Sequence, residues 1–258
     1  MRAKGEKKML KLGLYLLWVG FYFLVYGPFY VVLLIIASLP VSEKLWRWAS
    51  GIRPLRIKAE KERLLPLLEE VYRAYVEREE EDAHVQKINL FIQESMTINA
   101  QAFGRETIAL TKGAIDLLSD EDLKGLIAHE LAHHHNHDAK MALFMRVANF
   151  PIAFLMNKLR KIHDRLESGA VKFFFSILFA PIRLIAFVGD LILMYHSRQQ
   201  EYYADVLALI WGYDEELANV LIQIYQISME EPQSVSEMIR ATHPPITKRI
   251  EQLETIIH

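Results

Sequence analysis

The 258-residue chain contains no cysteine, so it can form neither a disulfide nor a thiolate metal site. Its 30 Lys and Arg residues are nearly balanced by 32 Asp and Glu residues, which gives a formal net charge of −2 at pH 7. Such a chain lacks the basic excess that binds a phosphate backbone. We therefore expect no nucleic-acid partner.

Apolar residues are abundant, at 52% of the sequence with a mean hydropathy of +0.10. An uncharged run from Leu12 to Leu39 exceeds the ~20 residues that a membrane span needs, although Gly27-Pro28 interrupts it. We predict a membrane anchor at 1–40, either one kinked span or a re-entrant pair of half-spans. Two later apolar runs predict a membrane-associated helical hairpin at 141–195, with a buried soluble hairpin as the alternative.

The most informative motif is His129-Glu130-Leu131-Ala132-His133. Positions i and i+4 of a helix share one face, so both imidazoles can bind a single Zn²⁺. Glu130 can then reach a water held by that metal, which is the signature of zinc metalloproteases. The preceding residues predict the required helix, with Ser119 as its N-cap and Asp122 in its first turn.

A catalytic zinc site needs a third protein ligand and one open position. One class uses a third histidine, but Asn136 and Ala139 stand where that class has its glycine and histidine. The other option is a glutamate on a later helix, and Glu201 is the best candidate. Asp205, one turn further on, can accept the distal N–H of a ligand histidine. We predict one Zn²⁺ per chain, although a solvated carboxylate pair is the alternative for Glu201 and Asp205.

These motifs, in this order, resemble the HtpX-like and CAAX prenyl protease superfamily of membrane zinc metallopeptidases. The resemblance runs from about Lys61 to Ile250 and includes Asn136 and Asp138. It implies a mainly α membrane protein, with a helical zincin-like metalloprotease domain at 41–258, a small β-sheet and transmembrane helices. The chain departs from the family near its N-terminus, where HtpX-like proteins usually have two full spans.

The only strand-like region lies between Val85 and Ala109, with Gly104-Arg105 as a turn. Within it, the segment 99–104 resembles the family's Asn-Ala-Phe segment on a strand beside the cleft. The resemblance implies that Asn99, Ala100 and Phe103 bind substrate. An edge strand there can pair with an extended substrate backbone, or the sheet can simply cover one face of the helices.

A downstream element, Thr242-His243-Pro244-Pro245 with Arg249, resembles the family's His-Pro element. The resemblance suggests His243 as a second donor to the oxyanion of the reaction, and a purely structural role is equally open. It also suggests that Arg249 contacts the substrate or pairs with a carboxylate of the site.

The combined features predict a membrane-bound zinc endopeptidase that cuts peptide bonds near the membrane surface. Zn²⁺ lowers the pKa of its water toward ~7 and polarises the scissile carbonyl, while Glu130 acts as general base and then as acid. By resemblance, the substrates are misfolded or membrane proteins. The alternatives are a CAAX-type prenyl-protein peptidase and a catalytically silent membrane metal sensor or receptor, and the intact Glu130 argues against the sensor.

We expect an integral, multi-pass protein of the cell membrane. The resemblance places the active site on the cytosolic side, whereas a basic N-terminus with a single span would place it outside. Three further histidines follow the zinc motif: His134, His135 and His137. They can bind additional metal, or they can be solvated or capping residues.

Overall fold

A computed structural model of the chain describes residues 20, 27–80, 83–85, 87–229 and 245–257. This part is mostly helical with one small sheet, which confirms the predicted mainly α class. The helices are α1 Pro28–Ser38, α2 Pro40–Ala49, α3 Lys58–Glu79, α4 Lys112–Leu117, α5 Asp120–His135, α6 Asp138–Arg165, α7 Gly169–Leu178, α8 Ala180–Ile210, α9 Asp214–Met229 and α10 Ile246–Ile257. The strands are β1 Ile52–Pro54, β2 Asn89–Gln93, β3 Ala100–Phe103 and β4 Thr107–Thr111.

Contacts divide the chain into two compact units. One contains Met1–Ser38 and Met145–Ser197, and the other contains Leu39–Phe144 and Arg198–His258. Over the described ranges, no helix is both long enough and apolar enough to cross a bilayer. Most of the predicted anchor at 1–40 lies outside the described residues, and the division into 1–40 and 41–258 stays a prediction.

The sheet has the order β1-β2-β4-β3 and mixes both pairing directions. β2 and β4 are parallel, whereas β1 with β2 and β3 with β4 are antiparallel. Every residue of β4 is buried, while β1 and β3 form the two edges. The β3–β4 turn places Gly104 at φ +71°, a conformation that glycine adopts without strain.

Helix α5 lies at the centre of the second unit. It packs against α3, α9 and β3, and 13 of its 16 residues are buried, so it is enclosed on nearly all sides. The Ser119 hydroxyl accepts a hydrogen bond from the Asp122 N–H at 3.0 Å, which caps the helix as the sequence predicts. At Gly125 the helix approaches α9 so closely that a Cβ would lie 2.6 Å from the Leu217 nitrogen. The glycine is therefore needed for this close packing.

Candidate metal centre

Two helices bring three possible metal ligands together. On α5, the Nε2 atoms of His129 and His133 lie 3.3 Å apart. From α8, Glu201 places Oε2 at 3.4 Å from the His129 Nε2 and Oε1 at 3.6 Å from the His133 Nε2. A tetrahedral zinc with bonds of about 2.0–2.2 Å separates its ligand atoms by roughly 3.3–3.6 Å. The three side chains thus fit Zn²⁺ in donor type and in spacing.

The ring of His129 is oriented by a buried carboxylate behind it. Its Nδ1 lies 2.9 Å from Asp205 Oδ1, so the Nδ1–H donates there and the Nε2 lone pair faces the ligand cluster. Arg249, from α10, donates to the same carboxylate through Nη2 at 2.6 Å and Nε at 2.8 Å. Burial raises the pKa of Asp205, but the charge of Arg249 and the hydrogen bonds lower it to below its ordinary value. Asp205 therefore stays ionised.

His133 has a carboxylate of its own at the start of α6. Its Nδ1 faces Asp138 Oδ2 at 3.7 Å, and the side-chain amide of Gln200 donates to the other Asp138 oxygen. In the metal-free chain burial lowers the pKa of His133, but Asp138 and Glu201 raise it to well above its ordinary value. Zn²⁺ must therefore compete with a proton at His133, which makes metal affinity depend on pH.

Among the described residues, carboxylates outnumber guanidinium groups at this centre. The carboxylates of Glu130, Asp138, Glu201 and Asp205 are all buried, and Arg249 is the buried guanidinium that pairs with two of them. Buried charges are costly unless they are paired or bind a metal. A dication at the three ligands would offset this excess, which is a second reason why the residues fit Zn²⁺.

The structure separates the predicted substrate-binding residues into two groups. Ala100 and Phe103 lie on the edge strand β3 with buried side chains, so they offer only their backbone to a substrate. Asn99 precedes the strand and caps it, since its side-chain oxygen accepts the Ala100 N–H at 2.9 Å. Arg249 is 6% exposed, and its guanidinium pairs with the carboxylate of Asp205. His243 lies outside the described residues.

Sequence reasoning did not predict the contacts of two residues near the ligands, Asp138 and His134. Asp138 was visible only as a family match, because its approach to His133 depends on a turn and not on helix periodicity. His134 connects α5 to the sheet, where its Nε2 lies 2.9 Å from the Thr107 carbonyl oxygen. Burial lowers the pKa of His134 to about 4, so it is neutral at pH 7 and its Nε2–H donates to that carbonyl.

The fold and the site together define a class of protein. A helix with His129, Glu130 and His133, joined by Glu201 from a later helix, is the arrangement of a metallopeptidase whose third ligand is a glutamate. The chain belongs to peptidase family M48, whose family model matches residues 65–257. This confirms the predicted family resemblance.

Individual relatives agree with the family assignment. The chain is 30% identical over 211 residues to a protease HtpX homolog of Pyrococcus abyssi, covering 70% of this chain and 71% of that relative. It is 29% identical over 195 residues to a protease HtpX homolog of Dictyoglomus turgidum, covering 64% of this chain. The match spans 62% of the Dictyoglomus relative's length.

Among solved structures, the fold is similar to that of S. mikatae Ste24p. The TM-score is 0.51 at 18% identity, and the likeness covers 96% of this chain and 65% of that one. At this identity the likeness concerns the fold alone.

Proposed function

We propose that the protein is a zinc-dependent endopeptidase, in which His129, His133 and Glu201 hold one Zn²⁺. The observation that carries this proposal is the 3.3–3.6 Å spacing between the two histidine Nε2 atoms and from each of them to one oxygen of Glu201. Glu130 lies beside the two histidines on the same helix. When bound, Zn²⁺ supplies Lewis-acid polarisation of a carbonyl and acidifies a water. Glu130 accepts the proton of the attacking water and later delivers it to the leaving amine.

The carboxylates behind the ligands have a positioning role in this proposal. Asp205 keeps the His129 ring in the tautomer whose Nε2 lone pair faces the metal. Asp138, whose Oδ2 lies 3.7 Å from His133 Nδ1, favours the same tautomer of His133 electrostatically. Arg249 holds Asp205 through two hydrogen bonds, and its Nη1 lies 3.2 Å from Glu201, so it links the proposed ligand Glu201 to the orienting carboxylate of Asp205. We assign Arg249 to this framework in place of the predicted contact with substrate.

The edge strand β3 supplies the proposed substrate groove. α5, which carries the zinc motif, packs against β3, and within the described part of the chain β3 pairs with a strand on one side only. An extended peptide can add to this edge through backbone hydrogen bonds, with Ala100 and Phe103 as backbone partners and Asn99 at the entrance. Recognition through the backbone suits a peptidase that accepts many sequences. The proposed oxyanion donor, His243, rests on the sequence resemblance.

The proposed setting is the cell membrane, where the enzyme cuts misfolded or membrane proteins on the cytosolic side. Support comes from the apolar run 12–39 and from exposed apolar side chains in the first compact unit. On α7, Phe173, Phe174 and Leu178 are 63–71% exposed. Contiguous apolar surface of this kind marks a lipid or protein contact, and a multi-pass arrangement would place it in lipid.

The test compares zinc content and casein cleavage for the wild type and Glu130→Gln, both purified in detergent. We expect one zinc per chain in both, with cleavage reduced by about 10²-fold or more in the variant, because the general base is lost. Glu121→Gln is the matched control, since this glutamate lies on the same helix but is 67% exposed, and it should cleave normally. Equal cleavage by Glu130→Gln would remove the proposed base. Zinc without cleavage in the wild type would favour a narrow substrate or a sensor.

A further inference from the structure

A second group of histidines lies between the end of α3 and the end of α5. The imidazole ring centre of His84 lies 4.8 Å from that of His137 and 4.9 Å from that of His135. The ring centres of the proposed zinc ligands His129 and His133 are also 4.8 Å apart. Two imidazoles on one zinc, with bonds of 2.0–2.1 Å, place their ring centres about 5 Å apart. We propose that His84, His135 and His137 form a second transition-metal site near the surface.

A carboxylate completes the donor set. Glu79 Oε2 lies 3.7 Å from His135 Nε2, close to the separation of two ligands on one metal. The other oxygen of Glu79 accepts the Trp211 indole N–H at 3.0 Å, which fixes the carboxylate in place. The ring centre of His84 lies 4.8–4.9 Å from those of His135 and His137, so His84 can share a metal with either of them. Imidazole and carboxylate donors without sulfur suit Zn²⁺, Ni²⁺ or Cu²⁺.

The site is accessible and separate from the proposed catalytic centre. His84 and His137 are exposed, so a metal ion in solvent can reach their rings. His135 is buried and faces Tyr75 and Glu79, whereas the ligand His133, two residues earlier, points to another side of the helix. Among the described residues, only the catalytic group already has three donor atoms within 4.8 Å of one another. Metal binding at the second site therefore requires the rings of His84 and His137 to turn toward Glu79 and His135.

The experiment measures zinc bound by the full chain, without an affinity tag, after equilibrium dialysis at increasing free Zn²⁺. We expect two zinc ions per chain in the wild type, one tight and one weaker. His84→Ala should weaken the second by at least about tenfold and leave the first unchanged. His137→Asn should weaken it as well, and asparagine tolerates the positive φ of this position, +62°. His163→Ala, which changes a histidine outside the cluster, should retain both.

A catalytic-ligand variant separates this inference from the proposed function. Glu201→Gln should lose the tight zinc and keep the weaker one, so failure of one site is distinguishable from failure of the other. As a direct readout, Zn²⁺ should protect His84 and His137 from modification by diethyl pyrocarbonate. Saturation of the wild type at one zinc would overturn the proposal. Retention of the second zinc by the His84→Ala, His137→Asn double variant, or lack of protection, would do the same.

Discussion

Replacing Asp205 by asparagine changes one oxygen of a buried carboxylate into an amide nitrogen and leaves the side chain's shape almost unchanged. Three donors converge on that carboxylate: Arg249 Nε, Arg249 Nη2 and His129 Nδ1. Asparagine offers a single acceptor oxygen, so at least one Arg249 N–H must face an amide N–H in either orientation. If the amide faces His129, the imidazole is also driven toward the tautomer that protonates Nε2, where the metal would bind.

The size of the effect follows from these contacts. Breaking a buried ion pair by removing one partner costs about 3–5 kcal/mol. Arg249 keeps its contact with Glu201, with Nη1 at 3.2 Å, so we expect the lower end, about 3 kcal/mol in the free energy of unfolding. For a chain of this size that corresponds to roughly 6–12 °C in Tm. Loss of the group that orients a ligand histidine should also weaken zinc binding by about 10–100-fold.

The assay is thermal unfolding followed by tryptophan fluorescence, together with zinc competition against a chromophoric chelator. Asp120→Asn is the matched control, because this aspartate also accepts from an arginine, Arg63, at 2.7 Å but is 51% exposed. An exposed pair contributes at most about 1 kcal/mol. If Asp205→Asn melts and binds zinc like the wild type, the reasoning about the Arg249–Asp205–His129 network is refuted.

Other variants test the packing, the helix ends and the charge of the centre. Gly125→Ala should lower the unfolding free energy by about 1–3 kcal/mol in chemical denaturation, because its Cβ would lie 2.6 Å from the Leu217 nitrogen. Gly169→Ala meets nothing within 4 Å and is the control; equal effects would contradict the packing argument. The hydrogen bond from Arg53 lowers the pKa of Glu60 to about 2, so Glu60 contributes stability above pH 4.5 that is lost as pH falls toward 2. Glu60→Gln should flatten that part of the stability-versus-pH curve, and an unchanged slope would count against it. Finally, chelation should lower the Tm of the wild type more than that of Glu201→Gln, because removal of zinc leaves the buried carboxylates under-compensated; an equal loss in both would argue against a metal at this centre.

Local spacing predicted the parts of the site that lie on one helix. His129 and His133 share a face because of helical periodicity alone, and the Ser119 cap marks where that helix begins. Glu201 was found from chemistry, since a zinc with two histidines needs another ligand. The structure brings its carboxylate to within 3.6 Å of both imidazoles.

Contacts that depend on turns and on distant packing were beyond sequence reasoning. Asp138 reaches His133 because the chain reverses at His137, whose φ of +62° no periodic pattern encodes. The resemblance suggested that Arg249 pairs with a carboxylate of the site, but spacing could not identify Asp205, 44 positions away, as that carboxylate. The sheet was predicted as a region, but its parallel β2–β4 pairing depends on a crossover that alternation of apolar residues does not reveal.

The order in which the chain is synthesised bears on when this centre can form. Its side chains come from α5, α8 and α10, whose order along the chain is also the order in which they leave the ribosome. A nascent chain that ends before Glu201 carries only two of the three ligands, and one that ends before Arg249 leaves Asp205 without its cation. The proposed metal centre can thus be completed only late in translation, after the segment that carries Arg249 has been synthesised.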